Sequence, residues 1–252
     1  MIAPVTLILG LGRDVGTACA RCFHEAGHKV VVASPNEDAL DRAVDEFVDA
    51  VTAHHGDLHT IIGMHNALNA AFEAHGRVDN LVIIPALPAP ASLMDVNMET
   101  FDEVTIRDAR AATLALRLFA EEVAEQEPLV SDGPERQRQA GTVTFVLSLS
   151  ARLSGLGKFS ESISQAAIEA VVQAGAVELA DRRIRVNAVC AIRPRAENDE
   201  PWLKARTPLK RAALADEIAE AVGYLASPGA AIITGETLIL DGGRLQLGGT
   251  ID

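Results

Sequence analysis

Short aliphatic runs alternate along this chain with longer segments of helical spacing, and that alternation constrains the fold more than any other feature. Val5-Thr6-Leu7-Ile8-Leu9 reads as a strand stopped by Gly10, and Gly16 to Ala26 as a helix. Lys29 to Ala33 reads as a second strand. Glu37 to Val51 follows with Leu40, Val44, Phe47 and Val51 on one helical face. A third strand is expected near His54 to Gly56, a helix over Thr60 to His75, and a fourth strand at Leu81 to Ile84, ended by Pro85. A long helix from Met98 to Glu125 leads into a polar loop, Glu127 to Ala140, which carries Gly133 and Pro134. Strands at Thr142 to Leu147, Arg185 to Val189 and Thr237 to Leu240 are separated by helices at Ser160 to Asp181 and Asp216 to Ala226. Such an order predicts an α/β fold: a doubly wound parallel sheet of about seven strands, with right-handed crossovers and helices on both faces. Its ligand crevice should lie at the carboxyl ends of the strands, among the loops after Leu9, Ile84, Leu147 and Val189.

Residues 1–252 show no internal repeat and no linker, so one domain is expected. Hydrophobic residues make up 48% and aromatics only 4%, an aliphatic balance suited to strands buried on both faces. Acids outnumber bases 35 to 22, for a net charge of −13, and no basic cluster is present to meet a nucleic-acid backbone. No apolar stretch reaches the ~20 residues of a membrane span, and Val5 to Leu9 is too short for a signal sequence. A soluble, cytoplasmic protein is expected. The three cysteines give no disulfide framework. Cys19 and Cys22 form a C-x-x-C, but on one helix that spacing reads as two small core residues, and no metal is expected. All seven histidines precede residue 76, near helix ends and loops, and read as solvated surface.

Several ordered motifs resemble the short-chain dehydrogenase/reductase family. Asp79-Asn80-Leu81-Val82 resembles its D-x-L-V strand, and Gly141 to Ser148 its fifth strand, which ends in a catalytic Ser. Ile184-Arg185-Val186-Asn187-Ala188-Val189 is nearly the family's I-R-V-N-A-V. Asp216-Glu217-Ile218-Ala219, Leu225-Ala226-Ser227, Thr234-Gly235 and Asp241-Gly242-Gly243 follow in the family's order and spacing. A Rossmann fold and a nicotinamide cofactor are what this resemblance implies.

The functional motifs depart from the family. Its first loop, T-G-x-x-x-G-x-G, becomes Leu9-Gly10-Leu11-Gly12-Arg13-Asp14-Val15-Gly16. Gly10 and Gly16 align with the outer glycines, while Asp14 takes the place of the middle one, where backbone normally approaches the pyrophosphate. At an effective dielectric near 20, like charges about 5 Å apart repel by roughly 3 kcal/mol, about a hundredfold in affinity. As a helix N-terminal acid, Asp14 can also serve as a cap occupying the anion's place. The family's N-N-A-G becomes Ile83-Ile84-Pro85-Ala86, and its P-G after the sixth strand becomes Ala191-Ile192. Asp57 matches the adenine-side acid, and Arg13 falls where relatives place a base against a 2′-phosphate. Ser34-Pro35-Asn36 carries no acid at the end of the second strand, so any residual binding would favour NADP(H), and none or only weak NADP(H) binding is expected.

The family's catalytic set is Asn, Ser, Tyr and Lys. Ser160-Glu161-Ser162-Ile163-Ser164-Gln165-Ala166-Ala167 aligns with S-Y-S-A-S-K-A-A, so Tyr becomes Glu161 and Lys becomes Gln165. Ser148 survives, and the Asn position falls at Asp108. The Tyr hydroxyl moves the proton and the Lys lowers its pKa, so losing them removes the acid/base pair, whose general acid/base term is typically worth ~10²–10⁴ in rate. Tyr224, the only tyrosine, lies in a late helix and offers no substitute.

Three functions compete on these residues. The first is a non-catalytic subunit of a homo-dimer or tetramer, or of a hetero-oligomer with an active relative. It draws on the small residues Ala166, Ala167, Ala170, Ala174 and Ala176, although a buried intrachain face would explain them equally. The second is an atypical NADP(H)-dependent oxidoreductase with Glu161 as acid/base beside Ser148. The third, placed last, is a cofactor-free enzyme resembling the family's halohydrin dehalogenases, which keep Ser and Tyr. Between Val189 and Pro208 the family's lid is short here, with acidic Glu197, Asp199 and Glu200 around Asn198 and with Trp202 expected to anchor the loop. It does not define a substrate.

Overall fold

The computed structural model describes residues 2–11, 14–47, 50–124, 126–127, 129, 139–192 and 200–248. Arg13, most of the 127–140 loop and residues 193–199 therefore lie outside the described residues, as do the side chains of Glu200 and Trp202.

Seven strands form one parallel sheet: β1 (Val5–Leu9), β2 (Lys29–Ser34), β3 (Val51–His55), β4 (Asn80–Ile83), β5 (Gly141–Ser148), β6 (Ile184–Ala191) and β7 (Thr237–Leu240). Their spatial order is β3-β2-β1-β4-β5-β6-β7, so the direction of winding reverses between β1 and β4. The helices are α1 (Val15–Glu25), α2 (Glu37–Phe47), α3 (Ile61–His75), α4 (Met98–Val123), α5 (Phe159–Glu178), α6 (Glu200–Arg206) and α7 (Ala215–Ala226).

Central strands are buried on both faces because helices cover both. Leu7, Leu81, Val143, Phe145 and Val186 face a core shared with α3, α4 and α5. Ile8, Val30, Val32, Val82 and Val146 face a second core shared with α1, α2 and α7. The two faces of each strand feed different cores, so the strands read as continuous aliphatic runs. The edge strands β3 and β7 are the exceptions. β3 has alternating burial and starts at Val51 opposite Val30.

Caps fix several helix starts. Thr60 Oγ1 accepts from Gly63 N at 3.1 Å at the start of α3, and Asn97 Oδ1 accepts from Thr100 N at 3.1 Å at the start of α4. On α1, Cys19 packs in the core and Cys22 is half-buried, both as free thiols, and burial raises both thiol pKa values. No group of three or more His, Cys, Asp or Glu among the described residues could hold a metal ion. His28 departs from the surface expectation: it is half-buried, with Nδ1 2.9 Å from Thr6 Oγ1. Among the described residues, no helix is long and apolar enough to cross a membrane.

Candidate functional site

The turn from β1 to α1 is shaped by two glycines. Gly10, at φ +84°, donates its N–H to Ala33 O at 2.8 Å, and a Cβ there would run into the carbonyl oxygen of Ile84. Gly16 donates to Leu11 O at 2.8 Å, and a Cβ there would overlap the Leu11 backbone. Packing within the turn thus requires both glycines, whatever it binds. Asp14 sits at the N-cap position of α1 and its carbonyl accepts from Ala18 N at 3.0 Å, but its side chain makes no capping hydrogen bond. This corrects the expectation that the carboxylate is engaged as a cap. It stands exposed at the positive end of the helix dipole, where a cofactor phosphate would otherwise be drawn.

The adenine-side positions are occupied by turn chemistry. Asp57 Oδ1 accepts from His59 N at 3.0 Å and lies 3.2 Å from His59 Nδ1. The backbone bond is the main cause holding the Asp57 carboxyl below its ordinary range. Ser34 Oγ accepts from Asn36 N, and Asn36 Oδ1 accepts from Ala39 N to start α2.

At the other side of the crevice, β5 delivers Ser148 to the mouth and a short 3-10 turn follows over Leu149–Ala151. Ser148 Oγ donates to Glu161 Oε1 at 2.8 Å. Ser150 Oγ lies 2.6 Å from the same oxygen and 2.9 Å from Ser148 Oγ. Lys158 Nζ stands 3.6 Å from Glu161 Oε1, three residues upstream at the start of α5. Gln165 Oε1 accepts from Ser148 N at 2.9 Å, whereas its Nε2, fully buried, has no hydrogen-bond partner among the described residues. Behind Ser148, the Cys190 thiol donates to its carbonyl at 3.3 Å, and burial pushes that thiol's pKa up to about 12. Ala191 and Ile192, in place of Pro-Gly, are buried.

Ser148, Glu161 and Gln165 are therefore one cluster. Asp108 is buried on α4 and ties it to α5, accepting from Ser164 Oγ at 2.7 Å and from Arg107 Nε at 3.3 Å. The loop after β4 is pinned across the cluster: Ala91 N donates to Gly157 O at 2.9 Å and Phe159 N donates to Ala91 O at 3.2 Å. Sequence reading missed Ser150 and Lys158. An i, i+3 Lys–Glu pair at a helix start was the available signal for Lys158. Ser150 reaches Glu161 only through the 3-10 turn.

Chemically, the cluster is an acceptor surrounded by donors. A serine has one hydroxyl proton, and that of Ser148 points at Glu161 with only 2% of Glu161 exposed. A substrate carbonyl, itself an acceptor, would meet a carboxylate and a committed hydroxyl. Toward a dinucleotide the described residues point two ways: Gln165 Nε2 could serve a ribose oxygen, while the exposed Asp14 carboxylate would oppose a pyrophosphate at the start of α1.

A family profile described as enoyl-(acyl carrier protein) reductase matches residues 10–244. The chain is 30% identical over 248 residues to galactitol 2-dehydrogenase (L-tagatose-forming) of Cereibacter sphaeroides, covering 94% of this chain and 92% of that one. It is 29% identical over 260 residues to dehydrogenase/reductase SDR family member 4 of Bos taurus, covering 96% and 87%. Among solved structures, 3-ketoacyl-(acyl-carrier-protein) reductase from Brucella melitensis complexed with NADH superposes with a TM-score of 0.83 at 26% identity, covering 96% of this chain and 98% of that one. With the sheet order, the ordered motifs and matches of this breadth, the chain belongs to the short-chain dehydrogenase/reductase family.

Proposed function

We propose that this oxidoreductase homologue does not transfer hydride and works as a non-catalytic, cytoplasmic subunit of an oligomer, built as one domain. The observation that carries the proposal is the 2.8 Å bond from Ser148 Oγ to the buried Glu161 carboxylate. It engages the one surviving catalytic hydroxyl with the side chain that replaced the proton donor. At the cofactor end, the uncapped Asp14 carboxylate supports absent or weak NADP(H) binding, and the departures at Pro85-Ala86 and Ala191-Ile192 point the same way.

Assembly is supported by the outer face of α5. Ile163, Ala166, Ala170, Ala174 and Val177 are exposed at helical spacing, Val177 by 79%. The helix's own charges up to that point, Glu161 and Glu169, are both buried. A second copy, or an active relative with a matching face, is the partner we assign to it.

A calorimetric titration tests the cofactor half. NADPH and NADH should fail to saturate the wild type at micromolar concentration, and Asp14→Gly should raise NADPH affinity by about a hundredfold without restoring turnover. Micromolar NADPH affinity in the wild type would overturn the proposal.

One observation favours a second function, an atypical NADP(H)-dependent oxidoreductase with Glu161 as acid/base. It is the unpartnered Nε2 of Gln165, a donor waiting in the place where relatives hold the ribose. Wild-type NADPH oxidation with any carbonyl substrate, abolished by Glu161→Ala, would establish it.

A further inference from the structure

At the amino-terminal edge of the sheet, opposite the candidate site, a chain of polar side chains crosses three strands and ends in the turn before β2. Thr142 Oγ1 on β5 donates to Asn80 Oδ1 on β4 at 2.8 Å. Asn80 Nδ2 donates to Thr6 Oγ1 on β1 at 3.3 Å. Thr6 Oγ1 lies 2.9 Å from Nδ1 of His28, in the corner between α1 and β2, and Asn80 Nδ2 lies 3.5 Å from the same nitrogen. Thr6, Asn80 and Thr142 are all buried.

Counting protons gives the chain a direction. Thr6 Oγ1, which accepts from Asn80, keeps one proton and a second lone pair for His28 Nδ1, whereas Asn80 Nδ2 on the same nitrogen is an N–H donor only. Facing that amide donor, Nδ1 is assigned as the acceptor, with the neutral ring's proton on Nε2. Protonating Nδ1 would set an N–H against the Asn80 amide N–H at this half-buried corner.

We propose that His28 is a pH-responsive clasp: its neutral imidazole closes a hydrogen-bonded chain from the corner before β2 across β1, β4 and β5, and its protonation opens that edge of the sheet. Burial moves the ring below its ordinary pKa of 6.5, and the Asp79 carboxylate acts the other way. Asp79, on β4's side of the edge, is largely matched by the Arg77 guanidinium at 2.6 Å. Lys29 follows His28 in the chain and lies near His75 at the end of α3. From α1, the Phe23 ring packs on His28 with centroids 5.1 Å apart, and β5 faces it with uncharged Thr142.

The sign follows from a lowered folded pKa. The contribution of His28 is fully present above 6.5, declines as pH falls below that value, and is gone once pH passes the folded pKa. Between those two values the folding constant drops by up to about tenfold per pH unit.

Long-range proton–nitrogen NMR on the full chain tests the clasp directly. It should show the Nε2–H tautomer near neutral pH and titration of His28 below 6.5. Thermal unfolding from about pH 8 to about pH 5 should show an acid loss that His28→Asn reduces, since the Asn oxygen keeps an acceptor in place of Nδ1 but does not titrate. An Nδ1–H tautomer, titration at or above the ordinary value, or an unchanged acid loss in His28→Asn would overturn the proposal. The NMR measurement needs no variant, so a variant that fails to fold leaves the test intact. None of these readouts depends on cofactor binding.

Discussion

Gly10 shows how much a single position can fix. Its φ of +84° lies where a side chain costs about 1–2 kcal/mol, and an added Cβ would meet the Ile84 carbonyl. Gly10→Ala should therefore destabilise the fold by at least about 1 kcal/mol, lowering the melting temperature by about 2–4 °C per kcal/mol lost. Calorimetric scanning of the purified variant measures it. The same loop shows what residue-level reading could and could not supply. The positions of Glu161, Gln165 and Ser148 were readable because spacing within a motif survives substitution. The state of Asp14 was not, because capping depends on whether the side chain turns toward its own helix. Ser150 and Lys158 gained their roles only when the 3-10 turn and the start of α5 brought them onto one carboxylate oxygen.

Among the elements, the join between β1, β4 and the end of α4 rests on Asp79. Its carboxylate accepts from Arg77 Nε and Nη2, from Val5 N at 2.8 Å and from Gln126 Nε2 at 3.2 Å. Asp79→Ala would leave a largely buried guanidinium without its counter-charge and a strand N–H without its acceptor, and should cost about 3 kcal/mol or more in denaturant unfolding. Asp79→Asn, which keeps acceptor oxygen, should cost less. Strands buried on both sides, β1, β2, β4, β5 and β6, were legible as aliphatic runs, because every residue of such a strand faces a core. β3 was placed three residues late and α2 extended too far, since Val51-Thr52-Ala53-His54-His55 is half-solvated and its register is set by β2, not by its own composition.

For the whole molecule, the outer face of α5 makes assembly measurable. Ala170→Glu would place a charge in the middle of an uncharged exposed stripe, and should lower the mass seen by light scattering to that of a monomer while leaving the far-ultraviolet circular dichroism unchanged. A wild-type chain that is monomeric at micromolar concentration, and recovers no partner, would end the subunit proposal. The sheet order carries a consequence for synthesis. β1 is central in the finished protein, but its second neighbour, β4, begins only at Asn80. At ribosomal rates of about 5–20 residues per second, the roughly 70 residues between them take about 4–14 s. Throughout that interval Val5-Thr6-Leu7-Ile8-Leu9, which carries no charge or proline, has one edge without its neighbour. The strand that organises the native sheet is thus the segment most open to mispairing on the nascent chain, and chaperone dependence should be concentrated in the time before residue 80 leaves the exit tunnel.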